Sequence, residues 1–345
     1  MDPRSAHLLW DAAPLWLNTA QYGLPPRPAY EALHAALDGW RHGRQTPEVW
    51  FPAGEAARAR FGELVGAPPQ DVVQGAATSQ LLSAIALAVP DGARVVIPDG
   101  EYTSNAYPWM VHADRGVKVV TVPPGELAAA IDSETWAVAF SLVSFSTGEI
   151  APVDDIVAAA RRHGTRVIVD GTQAVGWLPV DATRFDALVC SCYKWLMAPR
   201  GLAFGYLAPG LRAVMRPIAA GPSAAADPAG AFSDMDMRLS HSASRFDISP
   251  NWFAGVAAAA SLGVLLDIGV ERVHAHNVAM ADRFRAGVGL PAGDSAIVSV
   301  RLPGGAERLR EAGVRFSERS GRLRLSFHVY TTESDVDRAV RALTG

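Results

Sequence analysis

Only two of the 31 basic residues are lysines, Lys118 and Lys194, so chemistry that needs a side-chain primary amine has two candidates. Lys194 follows the apolar run Ala187-Leu188-Val189-Cys190 and precedes Trp195-Leu196-Met197. A lysine among apolar residues is costly to bury as a cation. Burial lowers its pKa and makes the amine a nucleophile fit for a Schiff base. On its own, the same lysine could equally snorkel from a strand end to water. Asp170 adds a second signal. Val167-Ile168-Val169-Asp170 reads as a buried strand with a carboxylate at its carboxyl end, where open α/β sheets bind ligands. An aspartate there can keep a pyridinium nitrogen protonated and make the ring an electron sink. The plainer reading is a turn-forming Asp before Gly171. An Asp-ended strand followed by a lysine-ended strand is a less generic pairing than either alone.

A third segment, Gly75-Ala76-Ala77-Thr78-Ser79-Gln80, lies between strand and helix signals. Small residues let the backbone approach an anion, and a helix start offers free N–H groups. Thr78 and Ser79 add hydroxyls, although an ordinary N-cap would use the same residues.

The elements that must position these groups alternate along the chain. Strand signals at Asp71–Val73, Arg94–Ile97, Lys118–Val122, Thr135–Val143, Arg166–Val169, Ala187–Cys192 and Gly201–Leu207 are interleaved with helical ones, among them Asp154–His163. This pattern predicts a mostly parallel α/β sheet flanked by helices. Two successive helices, Trp252–Ile268 and Glu271–Gly287, are followed by a strand at Ile297–Leu302, a helix at Ala306–Gly313, a strand at Arg322–His328 and a helix at Glu333–Leu343. That change of rhythm predicts a small C-terminal α+β lobe. The expected division is a large domain over 15–255 and a small one over 256–345, with the segment 1–14 packed against the latter. The patch Ala219–Ala231, rich in Ala, Gly and Pro, reads as a loop.

The bulk composition narrows the partners. With 345 residues, 49% hydrophobic and 19% charged, the chain fits two lobes of an ordinary soluble protein. A net charge of −4 calls for neither nucleic acid nor an anionic membrane. Met1–Trp10 has no continuous apolar stretch of the secretory kind, and the longest apolar run, near Phe253–Ile268, is too short to span a bilayer. The two cysteines, Cys190 and Cys192, give no disulfide framework and no zinc site. A cytoplasmic location is expected.

Together these segments resemble the class V aminotransferase family of pyridoxal 5′-phosphate (PLP) enzymes, of fold type I, which includes cysteine desulfurases and isopenicillin N epimerase-like proteins. The likeness runs from Trp16-Leu17-Asn18-Thr19-Ala20 to the C-terminus. Its most specific pieces are Ser191-Cys192-Tyr193-Lys194, with Pro199-Arg200-Gly201 after it, and Val169-Asp170-Gly171-Thr172-Gln173-Ala174. The resemblance implies that Lys194 carries the cofactor and shuttles the α-proton. It pairs Asp170 with the pyridine nitrogen and Gln173 with the ring hydroxyl. It assigns Thr78, Ser79, Ser191, Tyr193 and the Ala77 backbone to the phosphate end, and Tyr102 to stacking on the ring. Arg324, in Arg322-Leu323-Arg324-Leu325-Ser326, would grip the substrate carboxylate, with Asn18 and Phe145 beside it. The same resemblance implies a small amino-acid substrate and a homodimer, in which Trp50–Gly54 and the loop before Arg245 are candidates to reach across.

Two departures bear on the reaction. Where many relatives carry a His and an Asn, this chain has Leu142 and Phe145, which makes that corner apolar. It also has no cysteine after Cys192, which disfavours a persulfide-forming desulfurase. The expected function is therefore a PLP-dependent transformation of a small amino acid, or an S- or O-substituted relative, at Cα. Transamination stands first, then C–S β-elimination and epimerisation. A silent PLP-binding protein is the non-enzyme alternative. A dehydrogenase would need a Gly-x-Gly-x-x-Gly turn that the chain lacks.

Overall fold

Short, mostly apolar runs, β-branched in β2, β3 and β5, produce seven strands that join one sheet: β1 (Val72–Gly75), β2 (Arg94–Pro98), β3 (Lys118–Val122), β4 (Thr135–Ser141), β5 (Arg166–Asp170), β6 (Ala187–Ser191) and β7 (Ala203–Leu207). The computed structural model describes residues 3–233 and 235–345, so residues 1 and 2 of the segment 1–14 lie outside the described residues. The strand order is β1-β7-β6-β5-β4-β2-β3. Only β7 runs antiparallel to its neighbours, and the other pairings are parallel. A parallel sheet is covered on both faces, which is why β5, β6 and β7 read as nearly unbroken apolar runs and are buried almost throughout. In register, Ser141 lies opposite Asp170 and Asp170 opposite Val189. The carboxyl ends of β4, β5 and β6 therefore open side by side at one edge.

Several strands are shorter than their apolar runs. β4 stops at Ser141 because Val143 turns away to bridge Ile150, and β6 stops at Ser191 where the lysine turn begins. Hydrophobicity alone does not distinguish a strand from the buried turn that follows it.

Beyond the large sheet, β8 (Ile297–Val300), β9 (Ser317–Arg319) and β10 (Arg322–Ser326) form a second sheet of order β8-β10-β9, wholly antiparallel. The short β9 carries no sequence signal of its own. Leu323 and Leu325 of β10 share a core with Phe284, Val336 and Leu343 of the helices behind it, and Leu15 and Leu17 join that core from the N-terminal segment. Helix Trp252–Ile268, across whose start the expected domain boundary falls, contributes Leu262, Leu265 and Ile268 to the core of the large sheet instead. No single helix among the described residues is long and apolar enough to cross a membrane. The segment Ala219–Ala231 holds one short 3₁₀ turn, Pro222–Ala224, and otherwise no regular element.

Candidate active site

Lys194 sits in the tight turn after β6, and the rest of the molecule fixes that turn through its carbonyls. Gly23 donates its N–H to Tyr193 O (2.9 Å), His328 Nε2 donates to Trp195 O (3.0 Å) and the Ser261 hydroxyl to Leu196 O (2.6 Å). A Cβ on Gly23 would stand 2.0 Å from Lys194 O, so the two segments approach this closely only because that residue is glycine. Met197 closes the turn with φ +55°, a left-handed conformation that non-glycine residues rarely adopt. His328 is held as one neutral tautomer, since its Nδ1 accepts the Val329 N–H (2.9 Å) while Nε2 donates. Burial lowers its pKa to about 4. Lys194 itself is 7% exposed. Burial brings its pKa down to about 8, against the pull of Asp170 and with the push of Arg324. An amine whose pKa lies this close to neutrality is deprotonated often enough to be a usable nucleophile and proton carrier at working pH.

Asp170 ends β5 beside this turn. Its Oδ1 accepts the Thr172 N–H (2.8 Å), and burial raises its pKa, with Lys194 the cation that opposes the rise. Next to it three hydroxyls close a ring of bonds: Thr78 Oγ1 to Thr172 Oγ1 (2.9 Å), Thr78 Oγ1 to Ser191 Oγ (2.8 Å), and Ser191 N–H to Thr172 Oγ1 (3.1 Å). Thr78 is the first residue of the helix Thr78–Ala86, so these hydroxyls stand at its amino end with Ala77 as cap. A helix start with hydroxyl donors suits a phosphate. Gln173 is braced on both sides of its amide, accepting the Trp195 indole N–H (2.9 Å) and donating to Ala20 O (2.9 Å). The second N–H of that amide has no partner among the described residues, which leaves a donor for a ring hydroxyl.

A cavity of about 120 Å³ is walled by these groups together with Ala77, Ser79, Tyr102, Phe145, Tyr193 and Arg200. Lys194 Nζ lies 5.5 Å from the centre of the Tyr102 ring and 5.7 Å from that of Tyr193. Phe145 meets Tyr102 edge-on at 5.0 Å. Arg200 lies over the other ring, 4.8 Å from the centre of Tyr193. Burial raises the Tyr193 pKa, which keeps its hydroxyl a donor.

Arg324, on β10, does not itself line this cavity but stands behind its Phe145 wall. It is 2% exposed, and its Nη1 donates to Phe145 O. Its Nε and Nη2 are buried without a partner. Those two N–H groups point the same way and form the side-on fork of a guanidinium, the pair that a carboxylate engages with both oxygens. Burial and the nearby Arg319 lower its pKa to about 10. Leaving such a group unpaired is costly, so its arrangement anticipates an anion. Asn18 does not line the cavity. Its side chain is spent between Gln21 (2.6 Å), Phe316 O (3.3 Å) and Ser317 (2.8 Å), tying the N-terminal segment to β9. Leu142 is buried in the core, and Cys190 and Cys192 are both buried and unbridged, with burial raising both thiol pKa values.

Two neighbours of the expected residues carry parts of the site that spacing did not single out. Thr172 joins Asp170 to the hydroxyl ring. Glu101 accepts the N–H of Tyr102 and both the N–H and the hydroxyl of Ser141, each at 2.6 Å, and so pins the Tyr102 loop to the end of β4. Burial raises its pKa, with Asp170 adding to the rise. The available signal was adjacency: each stands within two residues of a residue already chosen.

The site can be set beside known proteins. A sequence model of the class-V aminotransferases matches residues 49–291. The isopenicillin N epimerase of Streptomyces clavuligerus is 30% identical over 98% of this chain and 97% of its own. The cysteine desulfurase CsdA of Escherichia coli superposes with a TM-score of 0.85 at 20% identity, covering 100% of this chain and 98% of its own. The cystine C–S lyase C-DES, solved with its product cysteine persulfide, gives 0.87 at 19% identity over 96% and 97%; a second structure of it has glycine covalently linked to its PLP cofactor.

Proposed function

The chain belongs to the class-V aminotransferase family of PLP-dependent enzymes, and we propose that it breaks the Cα–H bond of an amino acid whose carboxylate is held by Arg324. The observation that carries this reading is the unpaired Nε/Nη2 fork of a buried arginine bonded to Phe145, which lines the same cavity as Lys194.

The residues present suit the cofactor. Lys194 would hold it through Nζ, Asp170 would face its ring nitrogen, and Thr78, Ser191 and the helix start behind Ala77 would take the phosphate. Tyr102 would cover the ring, with Gln173 at the ring hydroxyl. When bound, PLP supplies an electron sink for charge developing at Cα. The chain supplies the rest. Arg324 fixes the substrate through two parallel bonds, which sets which bond at Cα faces Lys194. With a pKa of about 8, Lys194 Nζ can take the Cα proton and give it back without a large penalty in either direction. Phe145 and Tyr102 line the corner above it with aromatic rings. We also read the chain as one half of a homodimer. Tyr30, Leu37, Trp40, Val49 and Phe51, on the helices Arg27–Arg41 and Pro47–Leu64, are exposed, and an exposed set of large apolar groups suits a subunit contact.

The test is the visible spectrum of the protein loaded with PLP, alongside Lys194→Ala. The lysine-bound band is expected in the parent and absent in the variant; a band that survives would remove Lys194 from its role. Loading of the apoprotein requires the neutral amine, so its rate is expected to rise about tenfold per pH unit below about pH 8 and to level off above it. Incubation with an amino-acid panel in D2O then separates the outcomes. A keto acid marks transamination, ammonia with pyruvate marks elimination, and deuterium at Cα with loss of optical purity marks epimerisation.

A further inference from the structure

The small sheet shows one face to its helices and another toward the site. Alternation along β10 puts Leu323 and Leu325 into the core behind and turns Arg322, Arg324 and Ser326 the other way. Directly opposed residues in an antiparallel pair share a face. Arg322 lies opposite Arg319, and Arg324 lies between Ser317 and Ser299, so with Ser326 this face carries three arginines and three serines. No carboxylate stands among them. Glu318, the acid on β9, points to the opposite face and is bonded to Arg310. Like charges set directly opposite each other on a sheet are destabilising, so the arrangement calls for an anion from elsewhere.

The three arginines are not equally occupied. Arg322 donates to the hydroxyl and the carbonyl of Ser299 (2.9 and 2.7 Å). Arg324 has its side-on fork unmade. Arg319 donates one N–H to the neighbouring Glu318 carbonyl (2.8 Å), and no carboxylate among the described residues pairs with it. The strand register sets Arg319 on the same sheet face as Arg324, and its charge adds to burial in lowering the pKa of Arg324 and of Lys194. A single α-carboxylate occupies the Arg324 fork and leaves Arg319 without a counterion. The hydroxyls suited to a phosphate belong to the large sheet, at Thr78, Thr172 and Ser191, and so do not supply that counterion.

We propose that the substrate is an amino acid with an acidic side chain, whose second anionic group is received by Arg319 while Arg324 holds the α-carboxylate. The inference rests on the reading of Arg324 given above. It names the substrate class of that site: a dicarboxylic amino acid or one with a distal sulfonate, rather than a neutral one.

Binding without turnover tests it. Succinate, glutarate and adipate would be titrated calorimetrically into the PLP-loaded protein, against butyrate, valerate and hexanoate of matching carbon number. None of these has an amine to react with the cofactor. At least one diacid is expected to bind about tenfold tighter than its monoacid. That gap should close in Arg319→Gln, persist in part in Arg319→Lys, and be accompanied in Arg324→Gln by weaker binding of both classes. Diacids no tighter than monoacids, or a gap that survives Arg319→Gln, overturns the proposal. The visible band of each sample separates this from the parent reading. A normal band with no diacid preference sinks the acidic-side-chain proposal alone. A missing band sinks the cofactor assignment, while the diacid titration and its loss in Arg319→Gln still decide the role of Arg319.

Discussion

The two sheets meet at the candidate site in opposite states. On the large sheet the polar groups already bond one another: Asp170 to Thr172, Thr78 to Thr172 and Ser191, and Gln173 to Trp195 and Ala20. On the small sheet Arg324 is buried with two donors unmade. A satisfied polar network is rigid and cheap to keep, whereas an unpaired buried cation has stability to gain from a ligand. The large sheet is thus a bed set in advance for a resident group. The small sheet holds free binding energy for a molecule that arrives and leaves.

If that contrast is right, removing a charge from the bed should damage chemistry, and removing the fork should damage substrate capture. Asp170→Asn is the larger test. The amide oxygen can still accept the Thr172 N–H, so the fold is spared, but the negative charge at the ring nitrogen is gone. Turnover is expected to fall about 10²–10³-fold with the visible cofactor band retained. Steady-state kinetics with the spectrum as control checks this, and a kcat within a few-fold of the parent would mean that the charge is not used. Next is Arg324→Lys, which keeps a cation and loses the two-pronged geometry. Here kcat/KM should fall on the order of 10-fold to 100-fold, carried by KM, with the band unchanged. A fall confined to kcat would place the arginine in the chemical step instead.

The difference between the regions also sets what the sequence could reveal. The bed was largely legible, because Asp170, Ser191 and Thr78 sit at strand or helix ends and a parallel sheet brings its carboxyl ends together wherever the chain goes between them. Arg324 was legible as a candidate only through the family resemblance; its unmade fork depends on Phe145, 179 residues earlier, meeting its other nitrogen. Asn18 shows the limit. Its segment resembles the family's, but which way its amide turns is decided by Gln21 and by Ser317 across the seam, and no local pattern encodes that. The hold of His328 on the Trp195 carbonyl is hidden for the same reason, as is β9, whose three residues carry no periodicity.

The finest test of the contrast lies inside the bed, at Thr172. Its hydroxyl receives the Ser191 N–H and exchanges a bond with Thr78, so it couples the aspartate end of the site to the anion end. Thr172→Val keeps the shape, removes both bonds and leaves the buried Ser191 N–H without that acceptor. The desolvation of an unpaired group, about 1–3 kcal/mol, would appear partly as lost stability. If the hydroxyl ring exists to hold a phosphate, the variant should also release PLP about tenfold more readily, measured by equilibrium dialysis against the visible band. Thr172→Ser, which restores the hydroxyl, should recover most of that loss. A variant that melts lower yet binds PLP as tightly as the parent would reduce the ring to core packing. The preset character of the large sheet would then rest on Asp170 and Lys194 alone.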